Sequence, residues 1–264
     1  MKITVLGTGT SVGVPIPGCK CATCTSESSK DKRLRCSIII QVPNKDSTIN
    51  IVVDTGPDFR QQMLRADVEK LDAVLFTHSH ADHIMGLDDL RSYNFVSKSA
   101  VDIYCTDECL ESIKKTFWYI FNPDPNYQGG PLAKIKTNQI HANTIFNVSD
   151  LKITPLSLKH GRMDVLGFKI GNFAYCTDCN FIPEETYEEL KNIDVIILDG
   201  LRHRPHMTHF TFDGALQALD KIQPKKAYLT HISHDSLHEE TNQYLKENSS
   251  IDVELAYDNL EILL

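Results

Sequence analysis

No run of this sequence is apolar for long enough to cross a bilayer; its longest aliphatic stretches, such as Val195-Ile196-Ile197-Leu198, have the length of a strand. The first residues, Met1 to Leu6, lack both the charged start and the extended apolar stretch of a secretory signal, and read as a first strand. These absences point to a cytoplasmic protein with no membrane partner. An excess of basic residues is missing as well. The formal net charge is −8, whereas a protein that grips long nucleic acid carries a basic patch or stripe, so long nucleic acid is not an expected partner and small phosphate esters stay open. Lys114-Lys115 and Lys225-Lys226 read as solvated faces rather than a phosphate track. There is also no internal repeat, low-complexity run or Gly/Ser linker. At 264 residues and 41% hydrophobic the chain can bury one large core, and a single domain over 1–264 is expected.

What the chain does have is concentrated in six residues. His78-Ser79-His80-Ala81-Asp82-His83 puts three imidazoles and a carboxylate in one short segment. The apolar run Ala73-Val74-Leu75-Phe76 before it has strand character, and Met85 to Ser92 after it can be helical, so the cluster sits at a strand-to-helix turn. Donors spaced in this way cannot all converge on one point of a helix. On a turn they can divide, His78 and His80 toward one metal, Asp82 and His83 toward a second. A two-metal site needs about six or seven donors, and the others are to be sought where further strands end at the same edge. Leu151 to Leu158 alternates like a strand and leads into Lys159-His160-Gly161, which makes His160 a candidate third imidazole for the first metal. Phe173-Ala174-Tyr175 leads into Cys176-Thr177-Asp178, whose carboxylate could bridge the metals, and Ala227-Tyr228-Leu229 leads into Thr230-His231, which could complete the second.

The pattern His-x-His-x-Asp-His resembles the signature of the metallo-β-lactamase-fold hydrolases. The resemblance implies an α/β protein, a four-layer αββα sandwich, with a two-metal site at one edge of its sheets. The family's later motifs come in the same order along the chain as His160, Asp178 and His231. The motif does not choose a substrate, because the fold hosts many chemistries.

A second metal signature is Cys19-Lys20-Cys21-Ala22-Thr23-Cys24, three thiols in a Gly- and Pro-rich loop. Zinc held by three Cys and one His is a closed structural site, and His234, three residues beyond His231, is placed to supply the imidazole. A disulfide is the rival, but without a signal segment the thiols are expected to stay reduced. This Cys loop after Gly7-Thr8-Gly9-Thr10-Ser11, together with Thr230-His231-Ile232-Ser233-His234, is similar to the PhnP-type subgroup, named for a cyclic-phosphate phosphodiesterase. The likeness runs from about Met1 to Leu264.

That resemblance implies metal-assisted hydrolysis of a phosphate diester by a hydroxide held between two catalytic divalent metals, zinc or manganese, with one structural zinc in the Cys loop. Asp82 belongs to the catalytic centre, and His209 would give the leaving oxygen its proton. Arg202, His206 and His209 are the candidates for binding the phosphate, with surface salt bridging the rival reading for Arg202 and His206. The expected partner is thus a small or cyclic phosphate ester or nucleotide. Two departures from the PhnP pattern, the His- and Arg-rich run Leu201 to His209 and an expanded aromatic stretch over 117–147, should lie near substrate. The aromatics could stack a base or make a homodimer contact. The alternatives are a thioesterase or lactamase, a transfer-RNA 3′-processing nuclease and a non-catalytic metal-binding protein of a cofactor pathway. The Cys loop and the His209 segment count against the first, the acidic balance against the second and the complete ligand set against the third.

Strands are expected over 2–6, 37–42, 49–54, 73–76, 101–105, 151–156, 168–170, 173–176, 195–198, 227–229 and 253–256, with a tight turn at Gly171-Asn172. Helices are expected over 58–66, 107–117, 184–192, 212–222 and within 237–247, with Thr106 and Thr211 as N-caps. Asp54 reads as the acceptor that orients a ligand imidazole, with a turn cap as the rival. Cys36, Cys105 and Cys109 read as core, and Cys176 and Cys179, despite their Cys-x-x-Cys spacing, as buried thiols rather than a redox pair.

Overall fold

The computed structural model describes residues 1–45 and 47–264. The first half supplies β1 (Lys2–Gly7), β2 (Ser37–Asn44), β3 (Ser47–Val53), β4 (Ala73–Leu75), β5 (Val101–Cys105) and β6 (Ile135–Gln139). The second supplies β7 (Phe146–Val148), β8 (Leu151–His160), β9 (Met163–Ile170), β10 (Phe173–Cys176), β11 (Val195–Asp199), β12 (Lys226–Thr230) and β13 (Val253–Leu255), after which β14 (Glu261–Leu263) returns to pair with β1. Among the described residues these strands form two seven-stranded sheets, ordered β14-β1-β2-β3-β4-β5-β6 and β13-β12-β11-β10-β9-β8-β7.

Alternation along the strands explains why the sheets stack and why both outer faces carry helices. Ile38 and Ile40 of β2 and Phe173 and Tyr175 of β10 point into the core between the sheets. Their neighbours Ile39 on one side, and Ala174 and Cys176 on the other, point outward into separate cores. The helices are α1 (Ala22–Thr25), α2 (Phe59–Arg65), α3 (Ala81–Ile84), α4 (Arg91–Ser97), α5 (Asp107–Thr116), α6 (Trp118–Phe121), α7 (Glu184–Leu190), α8 (Phe212–Ile222) and α9 (His238–Asn248). Phe59 and Met63 of α2 and Leu110 and Ile113 of α5 cover the first sheet; Leu190 of α7, Phe212 and Leu219 of α8 and Leu245 of α9 cover the second. The result is the expected four-layer αββα sandwich of the metallo-β-lactamase fold. Thr106 and Thr211 cap α5 and α8, accepting from the amides of Cys109 and Gly214. No helix is long and apolar enough to cross a membrane among the described residues.

Several expected boundaries are corrected. The edge strands β6, β7 and β14 were absent from the expected set because they are short or polar-rich, so alternation gives little signal. β8 and β9 extend to meet at Gly161-Arg162, where Gly161 has φ +63 and His160 pairs with Met163. The helix expected from Met85 to Ser92 is instead α3, a 3₁₀ turn over Leu87–Leu90, and α4. The hairpin turn at Gly171-Asn172 is present between β9 and β10.

Strand direction positions the site. β3, β4 and β5 run parallel, as do β10, β11 and β12, and β8 is antiparallel to β9, which is antiparallel to β10. Strands β8, β10, β11 and β12 therefore end at one edge, where open α/β sheets place their ligands.

Candidate metal centres

At that edge the donors fall into two groups. The ligand atoms of His78, His80 and His160 lie within 4.8 Å of one another, as do those of Asp82, His83, Asp178 and His231. Asp178 faces both groups: its Oδ2 is 3.3 Å from His83 Nε2, 3.3 Å from His231 Nε2 and 3.9 Å from His78 Nε2. Asp82 Oδ2 is 3.4 Å from His83 Nε2 and 3.8 Å from His231 Nε2. This is the division expected from the motif, with all seven residues at one point of the fold.

The local backbone turns these side chains inward. Asp54, Asp178 and His231, each just beyond a strand end, adopt left-handed φ of 65, 53 and 61°. Such conformations cost on the order of 1–3 kcal/mol for residues with a Cβ, and persist where the surroundings impose them. The turn after β3 is pressed against α3. Thr55 N donates to the His83 carbonyl at 2.7 Å, and a Cβ on Gly56 would lie 2.2 Å from the Asp82 carbonyl oxygen, so only glycine fits there.

The outer contacts set which ring nitrogen faces the site. Asp54 accepts from His83 Nδ1 at 2.7 Å, and also from the amide and hydroxyl of Thr77. The Thr208 carbonyl accepts from His160 Nδ1 at 2.8 Å. In both rings this leaves Nε2 facing the cluster. Burial opposes charge on Asp178, yet the His231 and His83 imidazoles hold it well below the usual carboxylate range. Burial pushes His160 down to about 4 and His78 well below its ordinary value.

Buried polar atoms ordinarily have partners. His83 Nε2 and both ring nitrogens of His231 are buried without one. Unpartnered imidazole nitrogens beside two carboxylates suit divalent cations, so the donor set fits a pair of such ions. The thiolate group fits equally well: His234 Nδ1 lies 3.4, 3.4 and 3.7 Å from the sulfurs of Cys19, Cys21 and Cys24. A tetrahedron with Zn–S near 2.3 Å and Zn–N near 2.0 Å has an N···S edge of about 3.5 Å.

A hydrogen bond from the Cys24 amide brings the Cys21 thiol down to about 6, and burial pushes Cys24 up to about 11. In metal-free protein an alkylating agent at about pH 7 is therefore expected to label Cys21 ahead of Cys24, with a rate that falls below about pH 6. Cys36, Cys105, Cys109, Cys176 and Cys179 are buried and should stay silent. Bound zinc should suppress the labelling, as read by peptide mass mapping; equal labelling of Cys21 and Cys24 would contradict the thiolate arrangement.

Arg33 holds the two centres in register from inside. Its side chain is fully buried against Asp31 at 3.1 Å, and it donates to the carbonyls of Ser233 and Ser236 at 2.9 and 2.8 Å, so it pins the segment carrying His231 and His234. Arg33→Met should lower unfolding free energy by about 3–5 kcal/mol in urea titrations, because Asp31 loses its counter-charge and keeps only the Ser26 hydroxyl and the His238 amide. A loss under about 1 kcal/mol would mean that water replaces the guanidinium there.

His209 stands beside the cluster, its ring stacked on His231 at 4.3 Å and its Nδ1 2.7 Å from Asp199 Oδ2. Burial, then the neighbouring His231 charge, hold it down to about 3. Asp199, fully buried, also accepts from the Phe210 and Cys179 amides. Sequence reasoning missed Asp199, although an apolar strand ending in a carboxylate is the signal that pointed to Asp178. His206 is exposed at the mouth, 5.1 Å from the His209 ring. Arg202 is not brought into the cluster; its guanidinium donates to the carbonyls of Arg204 and Pro205. A cleft of about 350 Å³ opens on the other side, beside His78, lined in part by Ser79, Thr106, His141 and Met163.

The Beta-lactamase superfamily domain matches residues 49–232 of this sequence. Over its whole length the chain is 40% identical to a Porphyromonas gingivalis protein named octanoyltransferase, and it spans 52%, about half, of that curated relative. Among solved structures, a diphosphatase of the PhnP family is 37% identical, with a TM-score of 0.89 over 100% of this chain and 97% of that one. Zinc-bound PqqB from Methylobacterium extorquens, 20% identical with a TM-score of 0.78 over the full length of both chains, shares the fold.

Proposed function

The chain belongs to the beta-lactamase superfamily and, within it, to the PhnP family of hydrolases, and on that premise we propose that it is a phosphodiesterase acting on small or cyclic phosphate diesters. His78, His80 and His160 would hold one divalent ion and Asp82, His83 and His231 a second, with Asp178 between them; Cys19, Cys21, Cys24 and His234 would hold a structural zinc. The catalytic ions would lower the pKa of a water and polarise the phosphoryl oxygens.

The observation that carries the phosphodiester reading is the Asp199–His209 pair, 2.7 Å apart at the rim of the donor cluster. An alkoxide leaving from phosphorus needs a proton. With Nδ1–H committed to Asp199, only the doubly protonated His209 can donate from Nε2. Burial keeps His209 neutral and holds Asp199 well above the usual carboxylate range, so the charged ring would form only with the anionic diester in front of it. Asp54 and the Thr208 carbonyl hold the His83 and His160 rings against rotation while this happens. His206, beside His209, can donate to a non-bridging phosphate oxygen.

A second reading, hydrolysis of a phosphoric anhydride, is favoured by the PhnP-family relative described as a diphosphatase. The test is a substrate panel with zinc or manganese: bis-p-nitrophenyl phosphate, 2′,3′-cyclic nucleotides, nucleoside diphosphates, monoesters, a lactam and an octanoyl thioester. Diesters should be turned over best, and elemental analysis should approach about three metals per chain. Turnover confined to the anhydride would select the second reading. Turnover confined to the thioester would overturn both, as would a metal content of about one or less with no activity restored.

A further inference from the structure

One carboxylate outside both donor groups reaches toward each. Asp235 follows His234 directly, and its Oδ1 lies 3.4 Å from His234 Nε2, while Nδ1 of the same ring faces the three sulfurs. Its Oδ2 accepts from Nε and Nη2 of Arg204 at 2.9 and 2.7 Å and lies 3.8 Å from Nη1 of Arg202. Arg202 in turn ties down the loop, donating from Nε to the Arg204 carbonyl at 3.3 Å and from Nη2 to the Pro205 carbonyl at 3.5 Å. With His203 these three side chains line a hollow of about 300 Å³. The loop held in this way runs on to His206 and His209.

Each half of this arrangement has a physical consequence. A ring that ligates through one nitrogen is fixed when the other donates to a carboxylate, and losing such a partner typically costs about 10–100-fold in metal affinity. On the Arg204 side the ion pair is exposed and contributes little to stability. Two donors from one guanidinium on one oxygen supply direction instead. Asp235 emerges from a fixed backbone, because Arg33 pins the carbonyls of Ser233 and Ser236 on either side of it and the Ser233 hydroxyl accepts from the Asp235 amide at 3.2 Å. One carboxylate, fixed on this backbone, thus touches both the His234 ring and the arginines of the loop.

We propose that Asp235 is a positioning residue that couples the thiolate centre to the substrate loop, orienting His234 for its metal and, through Arg204 and Arg202, setting where His206 and His209 meet the phosphate. The loop half rests on the phosphodiesterase reading; the His234 half does not.

The test compares full-length Asp235→Asn and Arg204→Gln. Cobalt(II) is titrated into metal-free protein against a chelator, the thiolate-to-cobalt absorption reporting the Cys site alone, and steady-state kinetics are run on bis-p-nitrophenyl phosphate. Asp235→Asn should weaken cobalt binding on the order of 10-fold and raise KM several-fold, with kcat within about twofold. Arg204→Gln should raise KM in the same way and leave the cobalt affinity unchanged. Unaltered cobalt affinity in Asp235→Asn overturns the His234 half, and unaltered KM in both variants overturns the loop half. A fall in kcat alone on this ester, whose leaving group needs no proton, with KM and cobalt binding intact, would not come from a displaced His206 or His209 and overturns the whole proposal. If the native protein turns over no diester, the phosphodiesterase reading fails, while the cobalt titration still decides what Asp235 does for the thiolate centre.

Discussion

His209→Ala should slow hydrolysis of an alkyl or cyclic diester by about 10²–10⁴ and that of a nitrophenyl diester far less. The difference lies in the leaving group. A nitrophenolate departs without a proton, whereas an alkoxide calls for one as the P–O bond breaks, and His209, outside the seven candidate ligands, is buried at the cluster's rim with Asp199 behind it. The measurement is kcat/KM across a series of diesters of rising leaving-group pKa. The mutant's dependence on that pKa should be the steeper of the two. Parallel lines, with equal losses throughout, would mean that His209 binds phosphate or supports the metals and donates nothing.

Asp178→Asn should cost about 10³ in kcat, the equivalent of several kcal/mol of charge stabilisation. Its Oδ2 faces rings from both groups, at 3.3 Å from His83 and His231 and 3.9 Å from His78, so neutralising it weakens both positions together. Asparagine is the informative replacement because it tolerates the left-handed backbone that position 178 adopts, where alanine would add strain to the comparison. Elemental analysis should show loss of one or both catalytic ions with the thiolate metal retained. Full activity with an unchanged metal content would remove Asp178 from the centre.

Much of this was legible in the sequence, for reasons that differ by element. Strands buried on both faces, such as β10 and β11, announce themselves as continuous apolar runs, and three candidate donors read from the ends of such runs, His78, Asp178 and His231, come together at one edge of the fold. His160 was found although its strand reached further than expected, because the Gly161 turn fixes where β8 must stop. What escaped was long-range. Asp199 ends β11 in the same pattern, but its value lies in a bond to a residue ten positions on, across a loop with no periodicity. The role of Asp235 was equally hidden, since its neighbours in space come from residues 202–204 and 234. Arg202 illustrates the converse: its chemistry suggested a phosphate clamp, while its hydrogen bonds go to loop carbonyls.

The donors are divided between the two halves of the chain. His78, His80, Asp82 and His83 follow β4 of the first sheet, His160, Asp178 and His231 stand at strand ends of the second, and the thiolate group joins residues 19–24 to His234. An ion in any of these groups is thus also a cross-link closing a long loop, and the chain entropy that such a staple removes from the unfolded ensemble grows only slowly with loop length but is largest for the longest loops. Residues 24 and 234 enclose most of the polypeptide. The hydrophobic face between the sheets then need not hold the halves together without metal: an ion in these groups would lengthen the lifetime of the closed sandwich, and stripping it would leave the apolar face, the β14–β1 pairing and the Arg33 bonds to Ser233 and Ser236 to resist opening.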